Sequence, residues 1–249
     1  MTYEAAFAAF ILGTIFTTAA VSIRAYARRG HDVSDVSGSV VLGPLIRSWH
    51  FENLRPLEDW CVRRGIQPAT LTYAQLVGSL LVGGGYAAGF LFTSGWLLLA
   101  SGSLDIVDGR LARRTGTGSA RGAFLDSVID RYADSFVYIG LSIYFRDSWV
   151  LWITLLGLLG GAMVSYTRAR AESLGVDCRV GLLQRPERTV ILGLGTIFSV
   201  LVDRLTGPWL GQDNAMLVLT LLVIAALANV SAVHRALYVR RELGDKVDA

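Results

Sequence analysis

Lysine is all but missing from this chain. Of 23 basic residues only Lys246 is a lysine, and arginine, which marks inner loops as well as lysine does, supplies the rest. Cysteine and histidine are scarce, at two and three. Cys61 and Cys178 have no CxxC partner, which leaves free thiols in place of a thiolate metal site or redox pair. His31, His50 and His234 are scattered without metal-ligand spacing, so no imidazole centre is expected. Charge in general is thin, at 17% of residues against 53% hydrophobic, and the mean hydropathy of +0.48 exceeds what a soluble globule carries. The net charge of +3 gathers at the ends of apolar runs and forms no basic stripe, which argues against nucleic acid as a partner. No tandem repeat or low-complexity segment is present.

What the chain does have is apolar runs of about 20 residues, the length a helix needs to cross roughly 30 Å of hydrocarbon. The first, Ala5 to Ile23, has no basic residue before it and Arg24, Arg28 and Arg29 after it. It therefore reads as an uncleaved helix with its N-terminus outside, since a signal peptide carries its positive charge in front. Thr14, Thr17, Thr18 and Ser22 dilute this run, and an interfacial helix is the alternative. Gly30 to Gly43 is a Ser-, Asp- and Gly-rich linker. From Pro44 to Gly65, Trp49, Phe51, Leu54, Leu57 and Trp60 are spaced for one helical face among Arg47, Arg55, Arg63 and Arg64, the pattern of an amphipathic helix in the cytoplasmic headgroup layer.

Six further spans are expected at about 69–90, 95–113, 120–145, 149–170, 188–205 and 215–238. Drawing the first of these from inside to outside gathers Arg110, Arg113, Arg114 and Arg121, then the arginines from 168 to 188, then Arg240, Arg241 and Lys246 on the cytoplasmic side. Little but Arg146 and Arg204 remains outside. The expected fold is all-α and integral to the cell membrane, a multi-pass protein whose site faces the cytoplasm. A six-helix transmembrane bundle with its juxtamembrane helix occupies 44–241, an extra N-terminal helix and linker 1–43, and a cytoplasmic tail 242–249.

Against that apolar background four carboxylates stand out in adjacent spans, Asp105 and Asp108 in DIVDGRLAR and Asp126 and Asp130 in GAFLDSVID. Charge at membrane depth is costly and marks function by default. On helices, Asp105, Asp108 and Ala112 share one face and Gly122, Asp126, Asp130 and Asp134 another, so two helices can point carboxylates at each other. Acids that close repel unless they are protonated or neutralised, and hard divalent cations with oxygen ligands are the natural neutraliser. A two-metal site is the economical reading, and both Mg2+ and Mn2+ suit it. Gly109, Ala112 and Gly122 let a phosphate-bearing ligand approach the helix backbone, and Arg113 and Arg121 supply positive charge for it. Two other readings compete. In one the acids merely pair with Arg110, Arg113, Arg121 and Arg131, which leaves the small residues unexplained. In the other they line the path of an ion-coupled transporter, for which no inverted repeat is present.

Together the two segments read DxxDGxxAR, eight residues, GxxxDxxxD, and in this the chain resembles the CDP-alcohol phosphotransferase family, with the likeness running from about Pro44 to Arg235. The resemblance implies a membrane enzyme that moves a substituted phosphate from a CDP-alcohol, CDP-diacylglycerol foremost, to an alcohol and releases CMP. It implies that Asp105, Asp108 and Asp126 hold two divalent cations, with Asp130 near the second as general base. It assigns the CDP moiety to Gly109, Ala112, Arg113, Ser119 and Gly122, with Ala69, Thr70, Leu71 and Thr72 closing over it. Ala69 stands where the family's Pro-Asn-x-x-Thr opening has Asn, so that side-chain amide is lacking here. A homodimer is a further family-level expectation.

SYTRARAE from Ser165 and QRPER from Gln184 resemble the members that use a phosphorylated polyol, especially bacterial phosphatidylinositol-phosphate synthases. In those a Ser, a Lys and two Arg bind the acceptor's phosphate. The matching residues here are Ser165, Arg168, Arg188 and Arg235, with Arg168 in place of the Lys, so a bidentate donor replaces a point charge. Arg170, Arg185, Arg240 and Arg241 read equally well as positive-inside anchors. An inositol phosphate is the expected acceptor, ahead of glycerol phosphate and of a soluble CDP-inositol donor.

Overall fold

The computed structural model describes residues 3–28, 43–178, 180, 181, 183–206 and 213–245. Among them are eight helices and no strand: α1 (Tyr3–Arg28), α2 (Gly43–Arg63), α3 (Pro68–Ala87), α4 (Leu91–Thr115), α5 (Ala120–Tyr144), α6 (Val150–Ser173), α7 (Arg185–Thr206) and α8 (Ala215–Asp245). Each of the six spans read from the sequence coincides with one of α3 to α8, and the last continues to Asp245. The linker expected over 30–43, His31 within it, and the end of the tail lie outside the described residues, apart from Gly43, which begins α2.

Local chemistry sets the helix ends. Pro68 opens α3, where its fixed φ suits the first turn and its missing N–H would have had no partner. α4 stops at Gly116, whose φ of 66° and N–H donated to Ala112 O form a left-handed cap. Ser119 then caps α5 by accepting from Gly122 N at 3.1 Å. The spacer between the two motif halves is thus one stop followed by one start, and α4 and α5 on either side of it both pack on α3.

α3 packs on α4 and α5, α4 on α7, α7 on α8, α8 on α6 and α6 on α5, so six helices close a ring. α2 lies outside against α4, and α1 against α2 and α7. Small residues make the tightest crossings. A Cβ on Gly140 of α5 would collide with the Gly83 backbone of α3, and one on Gly83 with the Phe136 backbone. Gly95 of α4 and Gly193 of α7 stand in the same relation, each facing the other's carbonyl oxygen at 3.0 and 3.2 Å from where a Cβ would lie. Tyr86, Leu98, Leu141, Ile153, Leu192 and Leu221 anchor an apolar core at the end where α3 turns into α4 and α5 into α6. Polar side chains are left to the other end.

By length and composition α6 and α8 are apolar enough to cross a membrane. α4, α5 and α7 carry charged residues of the polar end, and α3 carries Thr72, Gln75 and the glycines Gly83 to Gly85. On α2, Leu54 and Leu57 pack with Cys61, Leu71, Val107 and Leu111 as expected, but Trp60 is 46% exposed and Cys61 takes the buried position. The reason is helical period: 54, 57 and 61 recur at i, i+3 and i+7 on one stripe, and 60 falls beside it. Glu58, buried on the same stripe, pairs with Arg110 of α4, and Asp59 with Arg114 at 2.6 Å, which fastens α2 to the motif helix.

Candidate active site

Every sequence-predicted site residue lies at the polar end of the ring. Asp105 and Asp108 come from the last turns of α4 and Asp126 from the second turn of α5, and one oxygen of each lies within 4.8 Å of the others. Asp108, only 4% exposed, accepts a 2.7 Å hydrogen bond from Thr72 Oγ1 of α3. Asp126 Oδ1 is buried and has no hydrogen-bond partner among the described residues. A buried carboxylate oxygen that no protein donor meets, inside a trio of acids, is unfavourable until a cation or another donor compensates it. Hard divalent cations, which take carboxylate oxygens from several residues at once, fit that donor set.

Asp130, the fourth predicted acid, falls outside that 4.8 Å set but adjoins it, within side-chain hydrogen-bond reach of Asp105. Its Oδ1 faces Arg185 Nη1 at 2.8 Å and Gln75 Nε2 at 3.4 Å. Arg185 therefore does far more than anchor a helix end. Its side chain is 18% exposed, and it also reaches Asp105 Oδ2 at 2.8 Å and Asp134 Oδ1 at 3.0 Å. Glu187 fixes this helix start by accepting from Gln184 N at 2.7 Å, the reach-back half of a capping box, and so presents Arg185 and Arg188, three residues apart, on one face. Arg188 Nη2 meets Asp134 Oδ2 at 3.2 Å. Of Arg110, Arg113, Arg121 and Arg131, the alternative partners for the acids, Arg131 Nη1 lies 3.7 Å from Asp130 Oδ2, Arg110 is taken by Glu58, and Arg113 and Arg121 are exposed.

The residues expected around CDP divide in two. Gly109 is open, with only Arg113 Nη1, at 3.6 Å, near where a Cβ would stand, and Arg113 itself is exposed. Ala112 is half-buried beside them. Ala69 and Thr70 lie in the first turn of α3, and Thr72 is committed to Asp108. Leu71 departs from expectation: at 7% exposure it packs with Cys61, Val107 and Leu111, because an apolar side chain one position from Thr72 faces the α2 and α4 stripe. Ser119 and Gly122 are joined as a helix cap.

On the acceptor side, Ser165 lines a cavity of about 40 Å³ with Asp134, Tyr138 and Gly161, large enough for a water molecule but smaller than a sugar phosphate. The Arg188 guanidinium lies against Gly161, 3.5 Å from where a Cβ would stand. Arg188 is 4% exposed, and its Nη1 is buried without a partner among the described residues. Arg168, 52% exposed, is held by Glu172 at 2.8 Å. Arg235 donates to Val164 O at 2.7 Å and Val180 O at 2.6 Å, so it latches the segment between α6 and α7. Both Arg168 and Arg188 lie near enough to repel its charge. His50, half-buried on α2 with its pKa pushed down by burial, lies 3.5 Å from Ser103 Oγ and outside the acid cluster. A larger cavity of about 570 Å³ opens at the opposite end, between Phe90, Asp203 and Asn214, and holds none of the motif residues.

Known proteins resemble this chain in sequence and fold. The CDP-alcohol phosphatidyltransferase profile matches residues 66–230, from just before α3 into α8. Archaetidylinositol phosphate synthase of Methanothermobacter thermautotrophicus is 39% identical over 192 residues, 73% of this chain and 92% of that one. Phosphatidylinositol phosphate synthase of Streptomyces avermitilis is 33% identical over 224 residues, 87% of this chain and 89% of that one. Among solved structures, the Mycobacterium tuberculosis phosphatidylinositol phosphate synthase with CDP-DAG bound has a TM-score of 0.64 at 28% identity, covering 74% of this chain and 92% of that one. The same enzyme in complex with manganese and citrate gives 0.65 at 28% identity, with 74% and 87% covered. These relatives are synthases, which sets the transporter reading aside. With the profile spanning both motif helices and the relatives matched over nearly their full lengths, the chain belongs to the CDP-alcohol phosphatidyltransferase family and is a divalent-metal-dependent transferase.

Proposed function

We propose that the chain transfers the phosphatidyl group of CDP-diacylglycerol, or of a closely related CDP-alcohol, to a hydroxyl of an inositol phosphate and releases CMP. The observation that carries the phosphorylated acceptor is Arg188, buried beside the Ser165 cavity with Nη1 unpartnered among the described residues. A desolvated guanidinium with a spare donor is unfavourable until an anion completes it, and a free alcohol offers no such charge. The names of the relatives, synthases of inositol phosphate lipids, point the same way.

We assign Asp105, Asp108 and Asp126 to two cations, Mg2+ or Mn2+, which when bound offset charge on the pyrophosphate oxygens. Asp130 is the general base. Arg185 and Gln75 hold its Oδ1, and Oδ2, which has only the longer 3.7 Å ion pair with Arg131, takes the acceptor's proton. The hydroxyl oxygen then bonds to the phosphorus that carries the lipid, and the bond from that phosphorus to the CMP oxygen breaks. Gly109 admits the nucleotide's phosphates to the backbone, Arg113 donates to them, and Arg188 with Ser165 receives the acceptor's phosphate. Arg168 stands at the edge of that pocket.

We place α3 to α8 across the membrane with the acids on the cytoplasmic side. Leu80, Leu81, Ile139, Leu156, Val230 and Val233 are exposed on the outward faces of α3, α5, α6 and α8, an apolar surface that lipid covers better than water. The ring with α2 is the catalytic unit, and α1 is an addition to it. With α1 as a seventh span, reporters active on one side only, fused before α1 and after α8, should report opposite sides.

Purified enzyme with CDP-diacylglycerol and Mg2+ should release CMP with myo-inositol phosphate and not with myo-inositol. Equal turnover of the free alcohol would remove the phosphate pocket. Faster turnover of glycerol phosphate would make the enzyme a phosphatidylglycerophosphate synthase, and CMP release from CDP-inositol with inositol phosphate as acceptor, and not from CDP-diacylglycerol, would move inositol to the donor.

A further inference from the structure

The family motif ends at Asp130, yet the two halves of the site meet one turn further along α5, at Asp134. Its Oδ1 accepts from Arg185 Nε at 3.0 Å and its Oδ2 from Arg188 Nη2 at 3.2 Å. Arg185 continues toward the acids, with Nη1 2.8 Å from Asp105 Oδ2 and 2.8 Å from Asp130 Oδ1. Arg188 continues toward the acceptor side, for its guanidinium lies against Gly161, and Gly161, Asp134 and Ser165 line one cavity. We propose that Asp134 is a positioning residue that couples recognition of the acceptor's phosphate to the carboxylates of the cation and base site. The proposal rests on the reading of Arg188 given above.

The direction of the coupling follows from charge. Arg188 Nη1 has no partner among the described residues, so it can take a phosphate oxygen without first releasing Asp134. The added negative charge weakens the hold of Arg188 on Asp134, and Asp134 then pairs more strongly with Arg185. Arg185 has one guanidinium to divide among three carboxylates, so a stronger pair with Asp134 draws it away from Asp105 and Asp130. The Asp105 oxygen released in this way is free for a cation. Phosphate on Arg188 therefore tightens cation binding, and by thermodynamic reciprocity cations tighten phosphate binding.

The test reads binding in the absence of CDP-alcohol. Free Mn2+ is followed by paramagnetic resonance while it is titrated into full-length, metal-stripped enzyme, with and without myo-inositol phosphate. Wild type should bind Mn2+ roughly tenfold more tightly with the acceptor present. Asp134→Asn should bring that ratio to within about twofold of unity, and Asp134→Glu, which keeps the charge, should restore part of it. In turnover assays Asp134→Asn should raise the acceptor KM and lower kcat with the CDP-diacylglycerol KM unchanged, a split that lost stability alone does not produce. If Asp134→Asn does not fold, Arg185→Lys, a point charge that cannot fork among three acids, must lose the coupling instead. Retention of the wild-type ratio in either variant overturns the proposal. Should Arg188→Ala leave the acceptor KM unchanged, the phosphate pocket itself fails; should it raise that KM while Asp134→Asn keeps the ratio, only the coupling fails.

Discussion

Thr72 donates a 2.7 Å hydrogen bond to Asp108 Oδ2 and so ties the start of α3 to the most buried acid of the cluster. The bond takes up one oxygen of that carboxylate and fixes its orientation toward Asp105 and Asp126. A hydrogen bond to a charged group contributes about 1.5–3 kcal/mol, so Thr72→Val, which keeps the shape and removes the donor, should raise the Mg2+ concentration for half-maximal activity by tenfold or more. Thr72→Ser should restore it. A valine variant with an unchanged metal requirement would show that Asp108 needs no such partner.

Cations that bind only the folded protein stabilise it by mass action. Chelation should therefore abolish turnover and lower the melting temperature of the wild type, and Mg2+ or Mn2+ should restore both. Asp126→Asn should be inactive, and its melting temperature should not respond to chelation, because the oxygen it alters has no other partner among the described residues. A chelator-sensitive melting temperature in the asparagine variant would show that the cations lie elsewhere.

The six ring helices were legible because apolar runs, Pro68 and the glycine-bearing spacer are local signals, and Asp105, Asp108, Asp126 and Asp130 because charge inside such runs has few explanations. Arg185 was not. Its partners Asp105, Asp130 and Asp134 stand 80, 55 and 51 positions away, and no local pattern separates a guanidinium that turns into the ring from one that anchors a helix end. The Glu58 pair with Arg110 was hidden in the same way, since α2 reads as amphipathic whichever stripe faces α4. Gln75 did leave a signal, a polar side chain three residues after Thr72 on the same face of α3, and that spacing would have found it.

Gly83 and Gly84 are neighbours with opposite demands. A side chain on Gly83 runs into the Phe136 backbone, whereas one on Gly84 meets nothing within 4 Å. Gly83→Ala forces α3 from α5 and should destabilise the protein by about 1–3 kcal/mol. Gly84→Ala should be neutral or stabilising by up to about 1 kcal/mol through helix propensity. Thermal unfolding in one detergent compares the two, and equal melting temperatures would mean that the α3 and α5 crossing is looser than described.

Arg168 and Arg188 match the same family pattern, but the fold makes them unequal. Arg188 is buried, shares Asp134 and keeps a spare Nη1, whereas Arg168 is half in solvent and already paired with Glu172 one turn along α6. Truncating one partner of a buried charge pair costs about 2–5 kcal/mol, since the other is left uncompensated, so Arg188→Ala should raise the acceptor KM by two orders of magnitude or more. An exposed pair contributes less than about 1 kcal/mol, so Arg168→Ala should stay within about tenfold of wild type. Arg235→Ala should differ from both. It removes two donors from the carbonyls of Val164 and Val180, so the melting temperature should fall together with acceptor affinity as the segment leading to Arg185 loosens. Acceptor KM and melting temperature measured side by side on the three variants separate these cases. If Arg168→Ala proves as damaging as Arg188→Ala at unchanged stability, then Arg168 leaves Glu172 to take the phosphate, and the pocket extends to the edge of α6.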